Sequence, residues 1–203
     1  MRNKLAWLFS AFILFLSLMI IDTNALAVTK SNAQKYVLKN SLFQAITYEA
    51  TDLKLCEAKK GILYYGKNQL SGLNGWQCTT NNQLYNQIYA YGSSKKKLTF
   101  YKRESDTIIL DYKFPLKEGI LKETYYDEWN EKTVHYKTKI KFKQTLKTKA
   151  GVLKDVIEFD STINNTAKVK GYDKFYIAKN RGLVKIVNHK GNTTFEVTSF
   201  IKK

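Results

Sequence analysis

Residues 133–159, TVHYKTKIKFKQTLKTKAGVLKDVIEF, read as two long strands that meet at Lys149-Ala150-Gly151. In the first arm the even positions carry Val134, Tyr136, Ile140, Phe142 and Leu146, with Thr138 and Gln144 as polar exceptions. The odd positions carry Lys137, Lys139, Lys141, Lys143, Lys147 and Lys149. Successive side chains on a strand point to opposite faces, so one face is apolar and the other is a ladder of ammonium groups. A helix would scatter those lysines around its circumference. The pattern predicts a hairpin to which the rest of the chain adds neighbours. Lys137, Lys139, Lys141, Lys143 and Lys147 form a candidate anion-binding face.

Outside the hairpin, short alternating runs are separated by turn signals. Lys60-Gly61, Tyr65-Gly66 and Asn74-Gly75 are read as turns, as are Pro115-Leu116-Lys117-Glu118-Gly119 and Lys179-Asn180-Arg181-Gly182. Near the C-terminus Phe195 and Val197 alternate with Glu196 and Thr198. Ser31 is placed to cap one short helix carrying Ala33, Tyr36 and Val37. No long stripe of period 3.6 follows the first 27 residues. The sum is a mainly β, antiparallel domain.

Those first residues are a targeting segment. Arg2 and Lys4 precede an apolar run from Leu5 to Ile21, broken by Ser10 and Ser17. Ala25-Leu26-Ala27 supplies small residues where a signal peptidase reads them, so cleavage is expected after Ala27. The alternative is an uncleaved N-terminal anchor. Removing residues 1–27 from the 203 leaves a single β-rich exported domain, 28–203. It also removes Arg2, Lys4 and Asp22, which leaves 32 basic and 16 acidic side chains, a net +16. Only Arg103 and Arg181 of the remaining bases are arginine. Arginine grips phosphate in a fork, whereas lysine is a solvated point charge. The excess therefore reads as a general positive field toward anionic envelope components, with membrane contact only peripheral, and nucleic acid is not the expected partner.

Cys56 and Cys78 are the sole cysteines. In an exported chain such a pair is most simply a disulfide, worth about 3 kcal/mol in the chain-entropy view. Two thiols without clustered histidines are too few ligands for a metal site. Trp76, two residues before Cys78, is expected to pack on that bridge. His135 and His189 have no acidic or cysteine partner at motif spacing. Asp127, Glu128 and Glu131 surround Trp129, but they flank a predicted turn, where a solvated tip explains them better than glycoside chemistry. No nucleophile elbow, zinc-protease motif or phosphate-cradling glycine loop is present. No catalytic residue and no cofactor is therefore expected.

The second half, residues 106–203, resembles small exported bacterial β-rich domains, many of them lipoproteins. The resemblance rests on Pro115-Leu116-Lys117-Glu118-Gly119, on Ala150-Gly151-Val152-Leu153-Lys154-Asp155-Val156-Ile157, and on Tyr176-Ile177-Ala178 followed by Gly182-Leu183-Val184-Lys185. This chain departs from that pattern where Ile120-Leu121-Lys122 replaces a tryptophan, at Leu153 in place of Phe, and at Asn180 in place of Gly. It also has no lipid-attachment cysteine. The resemblance implies a curved antiparallel sheet of half-open-barrel style. Three functional readings follow: a non-catalytic domain binding a lipid-like or amphipathic ligand in its hollow, a basic surface protein binding anionic envelope polymers or membrane, and a secreted hydrolase or enzyme inhibitor.

Overall fold

The computed structural model describes residues 29–39, 41–51, 58–67, 74–80, 83–102, 107–127, 131–164 and 173–203. The targeting segment and Cys56 lie outside them, so the expected cleavage and the Cys56–Cys78 bridge do too. So do Glu128, Trp129 and the side chains of Trp76 and Asp127.

The chain forms β1 (Thr29–Lys30), β2 (Phe43–Ala50), β3 (Lys60–Lys67), β4 (Asn74–Thr80), β5 (Gln83–Ser93), β6 (Lys97–Lys102) and β7 (Thr107–Lys113). After a crossing that contains β8 (Leu116–Lys117) come β9 (Gly119–Asp127), β10 (Lys132–Thr148) and β11 (Gly151–Asp160). β12 (Lys174–Ala178), β13 (Gly182–Val187) and β14 (Thr193–Lys202) complete it. Twelve strands form one antiparallel sheet in the order β7-β6-β5-β4-β3-β2-β14-β13-β12-β11-β10-β9. The chain thus starts mid-sheet, steps outward to the β7 edge, crosses to the β9 edge and steps back until β14 pairs with β2.

That crossing dictates the curvature. Laid flat, twelve strands about 4.8 Å apart would span about 50 Å. Residues 114–118 separate the two edge strands, and the chain from Lys113 to Gly119 reaches at most about 22 Å. The sheet must curl. Its edges share no ladder among the described residues, so the curl is a half-open barrel rather than a closed one.

Side chains span the interior instead. Tyr112 on β7 stacks on Phe159 of β11 with ring centroids 4.3 Å apart, although nine steps of the strand order separate the two strands. Its hydroxyl donates to Thr138 Oγ1 at 2.9 Å, and Thr138 in turn meets Ser161 Oγ at 3.1 Å. This explains the polar exception at Thr138: it faces inward and is satisfied there. Ile46, Tyr48, Leu63, Leu98, Ile157, Ile177, Leu183, Phe195 and Val197 fill the same core.

The segment before β2 closes over this interior. β1 pairs with β8 on the crossing, and a 3-10 turn (Ala33–Tyr36) buries Ala33 and Tyr36. Ala33 N donates to Lys95 O at 3.1 Å, Lys39 N to Asn180 O at 3.1 Å, and Asn180 N to Lys35 O at 2.7 Å. The segment therefore ties elements from both halves of the sheet. The cap is Asn32, not Ser31: Asn32 has extended backbone directly before the turn and its side chain accepts from Gln34 N at 3.0 Å.

The glycine signals at positions 60–75 are also corrected. Lys60-Gly61 and Tyr65-Gly66 lie within β3, and Asn74-Gly75 within β4. Gly61 serves packing, because a Cβ there would sit 3.3 Å from the Tyr48 hydroxyl. Gly66 and Gly75 pair directly across the two strands.

Phe159→Ala removes one face of the stack that joins the two ends of the sheet and leaves a cavity. The expected loss is about 3–5 kcal/mol. A urea melt reads it as a lower midpoint, and a midpoint equal to the parent's would contradict this account of the closure.

Candidate functional site on the outer face

The ladder lysines occupy the face of β10 that points away from the core. Lys137, Lys139, Lys141 and Lys147 are exposed and Lys143 is half-buried. Directly paired residues share a face. The register therefore runs one row across seven strands: Lys141, Glu158, Tyr176, Lys185, Glu196, Glu49 and Lys60. The carboxylates in it lie low. Glu158 is 3% exposed and Glu196 7%, each beneath lysines. Lys143 Nζ lies 3.0 Å from Glu158 and Lys141 Nζ 4.0 Å. Lys185 reaches Glu196 at 3.3 Å and Lys60 reaches Glu49 at 3.2 Å. Burial, reinforced by the Glu158 charge, pushes the Tyr176 phenol up to about 12.

Glu196 and Glu49 stand directly opposite each other, a repulsive placement by itself. Lys149, in the turn between β10 and β11, resolves it. Its backbone N–H donates to Glu196 at 3.3 Å and its ammonium pairs with Glu49. The far half of the hairpin therefore lies across the outer face. From Asp155 to Lys149 is about 20 Å of strand, and from β11 to β2 is four strand spacings, about 19 Å. Leu146 and Leu153 pack beneath this flap with Val156, Ala178 and Val184.

Asp155 is where the hairpin changes face. Its φ of 54° is left-handed, and Leu153, which strict alternation would place with Ile157, packs with Val156 instead. Its carboxylate also holds the N-terminal segment. It accepts from Lys30 Nζ, from the Tyr36 hydroxyl at 2.9 Å, and pairs with Lys179 Nζ at 3.3 Å. Partial burial opposes its ionisation, but the bonds from Lys30, Tyr36 and Lys179 outweigh that and hold the carboxyl below its usual range. Burial, then the Asp155 carboxylate, pushes the Tyr36 phenol up.

The structure thus divides the predicted ladder. Lys141 and Lys143 are spent on Glu158, whereas Lys139 and Lys147 have no carboxylate within 4.0 Å among the described residues. His135 sits on the exposed face with Nδ1 3.0 Å from Thr124 Oγ1, and His189 is exposed in a distant turn. Glu131 is an exposed turn residue. Among the described residues no three His, Cys, Asp or Glu side chains converge as a metal site. The alternation that marks Glu158 and Glu196 as outward-facing is visible in the sequence; their lysine partners, set by register, are not.

No protein-family model and no curated protein matches the chain. It aligns with the crystal structure of a protein provisionally assigned as a lipoprotein from Parabacteroides distasonis, at 12% identity and a TM-score of 0.35, covering 82% of this chain and 98% of that one.

Asp155→Asn keeps a residue that tolerates left-handed backbone but removes the charge. At neutral pH it should cost about 1–2 kcal/mol, discounted for partial solvent exposure. Because the folded pKa is depressed, that stability is complete above the ordinary carboxyl pKa of about 3.9 and is lost as pH falls through the folded value. Melts of parent and variant should therefore converge below about pH 4; a gap that stays constant down to pH 2 would refute the assignment.

Proposed function

We propose that this is an exported, non-catalytic cell-envelope protein whose working surface is its basic exterior, attracting anionic envelope components. The observation that carries this is the lysine ladder. It lies on the outside of a curled sheet whose described interior is packed with side chains, and the domain after the leader has a net +16. Export rests on Arg2, Lys4, the apolar run and Ala25-Leu26-Ala27, and on the resemblance of residues 106–203 to exported domains.

An amphipathic ligand held in the hollow draws less support. Phe159, Ile157, Ile177 and Phe195 are fully buried among one another, and a ligand there would have to displace the Tyr112 stack. A hydrolase draws none from the described residues, where Glu49, Asp155, Glu158, Asp160 and Glu196 pair with lysines and the histidines are dispersed and exposed.

Binding through solvated lysines is screened as the Debye length falls from about 10 Å at 0.1 M salt to about 3 Å at 1 M. Envelope fractions washed at these two strengths should keep and then release the protein. Lys139→Gln with Lys147→Glu should shift release to lower salt without changing the thermal midpoint, since both side chains are exposed and outside the ion-pair row and glutamine sets no charge opposite Asp160. Release that ignores both salt and charge reversal would sink the proposal.

A further inference from the structure

Two places on the outer surface repeat one constellation. Ile120 on β9 pairs directly with Lys139 on β10, and Lys122 follows two residues along the same strand, hence on the same face. Val152 on β11 pairs directly with Lys147 on β10, and Lys154 follows two residues along. Ile120 is 58% exposed and Val152 63%, more than any other large hydrophobic side chain among the described residues. All four lysines are exposed. None has a carboxylate within 4.0 Å among the described residues; Asp160, which Lys139 faces on β11, is held by Lys174 at 3.0 Å.

A single aliphatic side chain in water is ordinary and needs no explanation. The same arrangement twice, each time beside the lysines that the ion-pair row leaves over, separates two kinds of anionic partner. A soluble polyanion satisfies the ammonium groups and leaves Ile120 and Val152 in water. A bilayer surface takes both, with anionic headgroups around the lysines and the aliphatic tips entering the interfacial layer. Lysine suits this use, because its stem lies along apolar material while its charge stays at the headgroups.

We infer that the outer surface docks peripherally on an anionic lipid bilayer through two insertion points, Ile120 with Lys122 and Lys139, and Val152 with Lys147 and Lys154. This rests on the reading of the basic exterior as the working surface and commits it to a membrane.

The test uses the purified protein, its leader removed, in flotation with vesicles of phosphatidylglycerol and phosphatidylcholine, with pure phosphatidylcholine vesicles and soluble polyphosphate as comparisons. The parent should float with the anionic vesicles and not with the neutral ones. Ile120→Ser with Val152→Ser should weaken vesicle partitioning about tenfold and leave polyphosphate binding unchanged. Reversing Lys122, Lys139, Lys147 and Lys154 to Glu should abolish both. Thermal midpoints near the parent's confirm that each variant is folded. If the serine variant floats like the parent while the reversed variant does not, membrane insertion is overturned and the basic-surface reading stands. If the parent ignores anionic vesicles, insertion is overturned as well. If the reversed variant also binds like the parent, both readings fall.

Discussion

Chain length imposes the controlling constraint. Residues 114–118 must carry the backbone from one edge of a twelve-stranded sheet to the other, and no flat sheet of that width permits it. Curvature follows, and with it an inside and an outside. Inside, the edge strands complete no ladder among the described residues, so closure falls to side chains and to the N-terminal segment laid over the end: the Tyr112–Phe159 stack, the hydroxyl chain through Thr138 and Ser161, and the backbone bonds of that segment. Hydroxyls that satisfy one another are tolerable in an apolar core, whereas a lone one would cost stability.

Outside, the problem is the opposite one. A sheet face studded with lysines repels itself unless carboxylates lie among them. Glu158, Glu196 and Glu49 supply that relief along a single row, and Lys149 brings the hairpin flap down on the two acids that would otherwise repel each other. The neutralisation is selective: lysines over the row are paired, whereas Lys122 on β9, Lys139 on β10, and Lys147 and Lys154 toward the hairpin tip have no carboxylate within 4.0 Å among the described residues. Asp155 links the two regimes, since its carboxylate anchors the N-terminal segment while its backbone turns the hairpin over the outer face.

The long strand pair, its turn at Lys149-Ala150-Gly151 and its two-faced polarity were legible because alternation is a local property of pleated backbone. The fold class followed from the same signal repeated, and the side of the strand on which the lysines lie came with it. Three things were not legible. Gly61, Gly66 and Gly75 were read as turns, yet they sit in strands, because a missing side chain can equally serve a neighbouring ring or a facing glycine. Asp155 shows no sign in sequence of its left-handed backbone, since the strain is held by Lys30, Tyr36 and Lys179 from distant segments. The division of the ladder depends on register, which joins residues far apart in the chain.

The pairing of β2 with β14 has a temporal meaning. A polypeptide made, or threaded through a pore, from its N-terminus delivers β2 among its first strands and β14 last. Until those final residues emerge, the two halves of the sheet have no ladder between them, and each keeps a bare inner margin able to recruit the wrong neighbour. The joint at the middle of the finished sheet is thus the latest to form, and a nascent chain that stalls just short of it is held half-built.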